Sequence, residues 1–402
     1  MNGPAGLKKV AGTRRNPVHE IERFGENRRM PLKPDDAKPS PTIVRRWFPT
    51  ARCRISPLSS AGLSGSPVWL VEPDEPLPRG RGPRRFVLKG FAESWPRERA
   101  EAIHRWMAAA RRASVGAVPA NLEVAAADGA EPTTIATDGD GRCFEMTPWH
   151  PGQPVAGPSP GQAIAALETL AQIHVALREA GGDEETPTAS PPAWARRAEA
   201  LRAVIARGWD EPPKGSLSPL QAAVAERRRA AAAILKDQGG LSYLSRLAAV
   251  VPPAVPLQPV LRDVWQAHVL FVGGEVSAVI DWHAAGIDTP ATDLTRLLGS
   301  WEGPRSASVG ADSLSAVSLS VVWGEAIEAY RAIRPLSREE LALIDLLHLA
   351  GVVGGLHHWF RWVLDENRHF PDSCSVLERV DALLKNLAFS GEKTDGGSGG
   401  LH

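Results

Sequence analysis

The chain has 402 residues, of which 43% are hydrophobic and 23% are charged, values close to those of ordinary globular domains. Lys plus Arg and Asp plus Glu both number 46, and this neutral balance argues against a globally basic nucleic-acid binder and against an acidic, solvating protein. The length allows two or three domains and a sizeable core without disulfide or metal staples.

The cysteines and the apolar pattern indicate a cellular location. Cys53, Cys143 and Cys374 are far apart and odd in number, so they fit neither a disulfide framework nor a C-x-x-C zinc site. No apolar run reaches the roughly 18 residues of a membrane span, and the N-terminus lacks the apolar segment of a secretory signal. The sequence therefore predicts a cytoplasmic protein without a membrane partner.

Both ends of the chain have the composition of flexible segments. Residues 1–50 hold 11 Lys and Arg against 5 Asp and Glu, and the proline-rich stretch 33–41 excludes a helix or strand interior. We expect a disordered basic arm over 1–42 and a flexible tail over 389–402. For the arm, a solvated tail is favoured over a nucleic-acid or membrane contact, so no nucleic-acid partner is expected.

The first half of the chain predicts short strands around one helix. Ile103, Trp106, Met107 and Ala110 recur at helical spacing and predict a helix over 96–113. Strand-like runs lie at 53–57, 67–71, 85–89, 122–126, 133–136 and 143–146.

The second half is mainly helical and contains one hairpin. Helices are predicted at 163–179, 193–208 and 218–237, then a strand–turn–strand over 257–280, then helices to about 387. Runs of strands followed by runs of helices indicate an α+β fold. We expect an N-lobe at 43–149 and a helical C-lobe at 150–388, joined near 146–152.

Three side chains in the predicted hairpin have the spacing of a reactive site. Asp263 ends a strand, His268 follows five residues later, and Asp281 follows 18 residues after Asp263. A hairpin of this length can bring all three to one mouth, where one carboxylate could take a proton from a hydroxyl and the other could hold a divalent metal on a polyphosphate. Asp is also common in turns, so a purely structural role stays open at this point.

This layout resembles the catalytic hairpin of protein-kinase-like small-molecule kinases, the aminoglycoside phosphotransferase and choline kinase group. Against the pattern H-R-D-x-x-x-x-N followed by D-F-G, Leu261-Arg262-Asp263 stands for H-R-D, His268 for the Asn, and Asp281-Trp282 for D-F. The run IDWHAAGIDTPATDL at 280–294 is similar to the family signature "IDW…AG…P…DLA". The resemblance covers about 55–365, with 193–250 as an unplaced insertion.

The resemblance implies a bilobal protein-kinase-like fold and an ATP-dependent phosphotransferase acting on a hydroxyl of a small molecule. Asp263 would be the catalytic base, and Asp281 with His268 would hold Mg²⁺. Imidazole is softer than the amide oxygen that it replaces and suits Mn²⁺ better. An altered metal preference, a weakened metal site and another role for His268 therefore all stay open.

Other segments agree with the nucleotide side of such a site. The run GLSGSPVW at 62–69 resembles the family's phosphate-covering loop, and FVLK at 86–89 resembles its strand lysine. The run EMTPWHPG at 145–152 is similar to the exit from the N-lobe, where the backbone would meet adenine. Glu98 and Glu101 are both candidates to orient the lysine, with Glu101 favoured. The implied nucleotide-binding residues are Ser64, Gly65, Ser66, Lys89, Glu101, Met146 and Thr147.

The alternative is a catalytically weak pseudokinase that binds a nucleotide or a partner, and a third reading is a scaffold that uses its basic arm. His174, in a run similar to the family's "L-A-x-L-H", and Asp293, near a helix start, are interpreted as structural. The acceptor and the oligomeric state are not predicted.

Overall fold

The computed structural model describes residues 39–58, 66–74, 84–91, 95–125, 132–181, 187–211, 215–301, 323–370 and 372–389. The arm predicted over 1–42 lies outside these residues up to residue 38, and the tail lies outside them from residue 390 onward. Ser64 and Gly65 of the predicted phosphate-covering loop also lie outside the described residues.

A five-stranded antiparallel sheet dominates the first part of the chain. Its strand order is β1-β2-β3-β5-β4. Side chains alternate between its faces, so that Phe144 packs with helix α1 while its neighbour Cys143 packs with helix α2. The elements are α1 (Pro41–Val44), β1 (Cys53–Pro57), β2 (Val68–Pro73), β3 (Phe86–Gly90), α2 (Arg97–Arg112), β4 (Ile135–Thr137) and β5 (Cys143–Pro148).

The strand predicted over 122–126 is not formed in its described part. Leu122 N–H donates to the Met146 carbonyl at 2.8 Å, and Val124 N–H donates to the Thr133 carbonyl at 2.7 Å. These two bonds go to different segments, so the chain is extended there without joining one continuous ladder.

Eight helices of the described chain build the second part. Three of them begin with a reciprocal capping box, Ser159 with Gln162, Ser218 with Gln221, and Ser337 with Glu340. They are α3 (Pro160–Ala180), α4 (Pro192–Arg207), α5 (Pro219–Asp237), α6 (Gly240–Ala248), α7 (Pro290–Leu298), α8 (Gly324–Ile333), α9 (Arg338–Phe360) and α10 (Ser373–Phe389). The unplaced insertion forms α4, α5 and α6, and α4 and α5 pack on α9 and α10.

Three short antiparallel strand pairs lie among these helices, and they position the predicted reactive residues. The predicted hairpin is formed by β9 and β10, and β8 pairs with β11 across the signature run. The strands are β6 (Thr188–Ala189), β7 (Val255–Pro256), β8 (Gln258–Val260), β9 (Val269–Val272), β10 (Glu275–Val279) and β11 (Gly286–Asp288).

The segment that follows β5 is anchored on the β9–β10 hairpin. Gln153 and Phe271 exchange two backbone hydrogen bonds of 3.0 and 2.9 Å, and Ser277 Oγ donates to the Pro151 carbonyl at 2.6 Å. Gly152 has φ +123°, and a Cβ there would lie 2.6 Å from Ser277 Oγ and 2.8 Å from the Phe271 carbonyl oxygen. Only glycine fits this close approach.

Replacing Gly152 with alanine is therefore expected to destabilise the protein by about 1–3 kcal/mol, because the Cβ meets backbone and the left-handed conformation becomes strained. Urea unfolding measures this change. Gly161→Ala is the matched control, since a Cβ at Gly161 meets nothing within 4 Å. Equal unfolding midpoints for the two variants would contradict this account.

Among the described residues, one helical stretch, Arg338–Asp365, is long and apolar enough by length and composition to cross a membrane. It comprises α9 and the π-helical turn Arg361–Asp365. In the fold, α9 packs against α4, α7 and α10, and many of its apolar side chains lie in the helical core. Length and composition alone therefore do not establish a membrane segment here.

Candidate active site

A buried carboxylate holds the loop that carries Asp263. This loop follows β8, and Arg262 adopts a left-handed conformation with φ +67°, which is unusual for a residue with a side chain. Asp293, on α7, accepts hydrogen bonds from Leu261 N–H at 2.7 Å and from Arg262 N–H at 2.6 Å. The strained backbone is thus fixed by two short bonds immediately before the candidate base.

Asp293 is itself held by a buried hydrogen-bonded chain. His174 Nε2 lies 3.0 Å from Asp293 Oδ2, and His174 Nδ1 lies 2.7 Å from the Tyr330 hydroxyl. Burial lowers the pKa of His174 and raises that of Tyr330. A neutral imidazole that donates from Nε2 to Asp293 and accepts at Nδ1 from Tyr330 satisfies all three groups. The structural role predicted for His174 and Asp293 is therefore support of the reactive loop.

Replacing Asp293 with asparagine should lower the free energy of unfolding by about 1–3 kcal/mol, because an amide offers one acceptor oxygen where a carboxylate offers two and leaves a buried donor unpaired. Urea unfolding gives the magnitude, and hydrogen exchange at the amides of Leu261 and Arg262 gives the location. Asp140→Asn, at an exposed carboxylate, is the control. Unchanged exchange at both amides would show that Asp293 does not hold the loop.

Asp281 and Lys89 meet between the sheet and the hairpin. Asp281 follows β10 and has φ 62° and ψ 62°, a second strained residue of the site. Lys89, on β3, places Nζ 2.6 Å from Asp281 Oδ1 and 2.8 Å from His283 Nδ1. His283 Nδ1 also contacts Asp281 Oδ1 directly. The structure thus brings two of the predicted residues, 192 positions apart in the chain, into one ion pair.

The charges around Asp281 decide its protonation state. Burial opposes ionisation of this carboxyl group, but the Lys89 ammonium and the imidazoles of His268 and His283 outweigh burial and lower its pKa to about 2. Asp281 is therefore an anion at neutral pH. Its ionic contribution to stability is present above the ordinary carboxyl pKa and is lost as the pH falls toward 2.

His268 lies between the two predicted catalytic segments. Its Nδ1 lies 2.8 Å from the Asp263 carbonyl oxygen, which can only accept, so Nδ1 carries the proton. Its Nε2 accepts from Trp265 Nε1–H at 2.8 Å and lies 3.5 Å from Asp281 Oδ2. Burial lowers the pKa of His268, in agreement with this neutral form.

His268 and Asp281 are the two side chains that could hold a divalent cation. Nε2 of His268 and Oδ2 of Asp281 lie 3.5 Å apart with no proton between them. Oδ2 can coordinate directly, whereas the single lone pair of Nε2 must first lose its hydrogen bond from Trp265. Within the described ranges, no group of three or more His, Cys, Asp or Glu side chains is arranged to hold a metal. A cation held by two protein ligands and completed by phosphate oxygens is the arrangement that Mg²⁺ adopts in phosphoryl-transfer sites.

Asp263 is open to solvent and paired with an arginine. Arg296, on α7, reaches Asp263 Oδ1 with Nη2 at 2.9 Å and with Nε at 3.0 Å. Both contacts fall on the same oxygen, and no hydrogen bond from the described part of the chain falls on Oδ2. The Asp263 side chain is 46% exposed. One carboxylate oxygen is thus oriented by the protein and the other is accessible to a hydroxyl group.

The structure does not bring Glu101 to Lys89. The Glu101 carboxylate pairs with Arg97 Nε at 2.8 Å on the same helix, and its side chain is 38% exposed. Instead, β5 carries Glu145, which lies opposite Lys89 in the β3–β5 register. His104, on α2, contacts Glu145 Oε2 at 2.6 Å. Burial opposes ionisation of Glu145, but the His104 hydrogen bond, with a contribution from Lys89, lowers its pKa. An ionised Glu145 therefore accompanies Lys89.

The other predicted nucleotide-binding residues that the structure describes lie on the sheet or next to it. Ser66 is buried just before β2. Met146 is buried in the core of the sheet, and its carbonyl accepts one hydrogen bond, from Leu122 N–H at 2.8 Å. Thr147 follows it on β5 and is half-buried.

Sequence reasoning overlooked three residues of this site: His283, Glu145 and Arg296. His283 stands two positions after Asp281 in the signature run, and the centres of the His283 and Trp95 rings lie 5.3 Å apart in an edge-on contact. Its closeness to Asp281 in the sequence could have identified His283 as a site residue. Glu145 and Arg296 offered no such signal, because their roles depend on strand register and on helix packing.

Two homoserine kinases are similar in sequence to part of this chain. A homoserine kinase of Chelativorans sp. (strain BNC1) is 33% identical over 145 residues, which are 34% of this chain and 39% of that protein. A homoserine kinase of Polaromonas naphthalenivorans (strain CJ2) is 26% identical over 148 residues, 36% of this chain and 42% of that protein. The chain thus spans about two fifths of the length of these relatives.

Solved structures share the fold. A spectinomycin phosphotransferase solved with ADP and spectinomycin matches with a TM-score of 0.53 and 13% identity, over 84% of this chain and 92% of that one. An amicoumacin kinase solved with AMP-PNP and Ca²⁺ matches with a TM-score of 0.52 and 13% identity, over 86% and 93%. The predicted α+β, bilobal, protein-kinase-like fold is confirmed. The model of the phosphotransferase enzyme family matches residues 62–336, more than half of the chain, and the chain belongs to that family.

Proposed function

We propose that this protein is an ATP-dependent kinase that moves the γ-phosphate to a hydroxyl group of a small molecule. One observation carries the proposal: Lys89 from the sheet pairs with Asp281 at 2.6 Å, and His268, bonded to the Asp263 carbonyl, lies 3.5 Å from Asp281. A cation-binding carboxylate, a phosphate-binding ammonium and a base are thereby assembled at the junction of sheet and hairpin. Phosphoryl transfer needs this combination of positioning and charge neutralisation.

The proton transfer falls to Asp263. Its Oδ2 accepts the proton of the acceptor hydroxyl, while Arg296 holds Oδ1 in place. The hydroxyl oxygen forms a bond to the γ-phosphorus, and the bond from the γ-phosphorus to the β–γ bridging oxygen breaks. ADP leaves with the electron pair of that bond, and the proton remains on Asp263 until it passes to solvent.

The proposal assigns nucleotide binding to the five-stranded sheet and the run before β2. Lys89 would exchange its bond to Asp281 for bonds to the α- and β-phosphates, and Glu145 would remain beside it as its anionic neighbour. Ser64, Gly65 and Ser66 would cover the phosphates with backbone N–H groups, and the backbone near Met146 and Thr147 would meet adenine. Glu101 would stay with Arg97. Because ATP is a cytoplasmic metabolite, the proposal includes a cytoplasmic location.

Asp281 and His268 would hold Mg²⁺ or Mn²⁺, which neutralises phosphate charge when bound. Asp281 would use Oδ2, because Oδ1 faces Lys89, and His268 would use the Nε2 lone pair that now accepts from Trp265. His268 must therefore release Trp265 before it coordinates.

The homoserine kinase relatives make L-homoserine the first acceptor to test. Full-length protein is incubated with ATP, each metal in turn and a panel of hydroxyl compounds that includes L-homoserine and aminoglycosides, and ADP release and the phosphorylated product are measured. Metal-dependent formation of a phosphorylated product supports the proposal. Nucleotide binding without any transfer across the panel would instead favour the second candidate.

The second candidate is a pseudokinase that binds nucleotide without turnover. The contact that favours it is the 2.8 Å hydrogen bond from Trp265 to Nε2 of His268, which engages the lone pair at the second metal position. If this bond persists in the presence of nucleotide and metal, only Asp281 remains as a protein ligand. Turnover with either metal would exclude this candidate.

A further inference from the structure

Two guanidinium groups from different helices approach the loop of the candidate base. Arg296, on α7, contacts Asp263 directly, and Arg379, on α10, stacks on Trp265, two residues after Asp263. The described contacts thus place two cations and one carboxylate at this loop, a local excess of positive charge.

Arg379 is held in place without using its hydrogen-bond donors. Its guanidinium carbon lies 3.9 Å from the centre of the Trp265 ring, within the range of a cation–π contact. Trp265 stands two residues after Asp263, and its own ring N–H is fixed on His268 at 2.8 Å. Over the described part of the chain, Arg379 forms no hydrogen bond and no ion pair. A planar group with five N–H donors is therefore held at the loop of the base with no acceptor among the described residues.

The surroundings also disfavour the Arg379 cation. Burial and then the charge of Arg296 lower its pKa to about 10, and Asp263 only partly offsets them. An anion bound between the two guanidinium groups would relieve this repulsion. A polycationic acceptor would increase it.

We propose that Arg379, stacked on Trp265, forms with Arg296 an anion subsite beside Asp263, so that the acceptor carries a carboxylate or another anionic group within reach of its reactive hydroxyl. This inference rests on the proposed kinase function and specifies its substrate class. Arginine suits the role because its planar fork binds a carboxylate through two parallel hydrogen bonds.

The γ-phosphate of the nucleotide is the other anion that could use Arg379. Replacing Arg379 would change different kinetic constants in the two cases. An acceptor subsite changes the KM for the acceptor and leaves the KM for ATP unchanged, whereas a contact with the γ-phosphate changes the KM for ATP or the kcat for every acceptor alike.

The test uses matched acceptors that differ by one carboxylate: L-homoserine with 3-aminopropan-1-ol, and glycerate with glycerol. For wild type, we expect kcat/KM to be at least tenfold higher for the carboxylate member of a productive pair. Arg379→Gln should remove most of this preference without changing the KM for ATP, and Arg379→Lys should retain part of it. Arg229→Gln, at an exposed arginine of α5, is the control and should leave the preference intact.

Failure of the subsite and failure of the kinase proposal can be told apart. If no pair is phosphorylated, the same compounds are titrated by calorimetry into protein loaded with AMP-PNP. Carboxylate binding that Arg379→Gln weakens tenfold would sustain the subsite although transfer is absent. Equal affinity for charged and uncharged members, or an effect of Arg379→Gln on the KM for ATP alone, would overturn the anion subsite for the acceptor.

Discussion

Replacing Asp263 with asparagine is expected to lower kcat for phosphate transfer by about 10²–10⁴-fold, the contribution typical of a general base. Asparagine keeps the shape of the side chain and can still accept from Arg296, but it cannot take the hydroxyl proton. The affinity for nucleotide should change little, because the proposed site assigns the acceptor to Asp263 and the phosphates to Lys89 and Asp281, which pair with each other and not with Asp263. Single-turnover kinetics and nucleotide calorimetry on the same preparation measure the two quantities.

Asp365→Asn serves as the matched control, because Asp365 is an exposed carboxylate at the end of the π-helical turn. It should leave kcat unchanged. A kcat for Asp263→Asn within tenfold of wild type would remove Asp263 from the role of base. Loss of nucleotide affinity in the same variant would instead indicate that the loop had rearranged.

The hairpin could be predicted from the sequence because its geometry is local. The apolar runs around Gly273 predict two paired strands, and the spacing of Asp263, His268 and Asp281 then follows from the hairpin. Lys89 on β3 could be predicted because FVLK resembles the family's strand lysine and follows the phosphate-covering run at the expected distance. In all these cases the side chain is positioned by its own strand or by the adjacent turn.

Glu101 illustrates a contact that the sequence does not determine. The rotation of α2 about its axis is set by packing, and α2 turns His104 toward the sheet, where it contacts Glu145 and Thr134. Glu101 lies three positions earlier and remains half-exposed with Arg97. Since a helix presents different faces within a few residues, spacing from Lys89 could not choose between these side chains.

The cationic surroundings of Asp263 could not be predicted from the sequence either. Arg296 is 33 positions and Arg379 is 116 positions from Asp263, on helices that the sequence predicts only as helical. Their approach depends on how α7 and α10 pack around the loop. Arginines on helices are usually solvated, so composition gave no reason to select these two.

Asp281 should be the residue on which metal-dependent nucleotide binding depends. Replacing it with asparagine removes the negative charge that attracts the cation and the carboxylate oxygens that coordinate it, while the shape of the side chain is kept. We expect the Kd for ATP with Mg²⁺ to rise at least about 100-fold, roughly 2.7 kcal/mol of binding free energy. Binding without metal should weaken much less, because Lys89 is then released from its ion pair and is free to meet phosphate. Calorimetry with and without metal separates the two effects.

His268 provides the companion variant. His268→Asn replaces a soft nitrogen ligand with the hard oxygen that Mg²⁺ prefers, so it should raise the ratio of Mg²⁺-supported to Mn²⁺-supported binding. We therefore expect Asp281 to determine whether a metal is bound and His268 to determine which metal is preferred. If Asp281→Asn binds ATP equally well with and without Mg²⁺ at the wild-type Kd, the site does not use a metal through Asp281, and the ion pair with Lys89 is a structural link between the sheet and the hairpin.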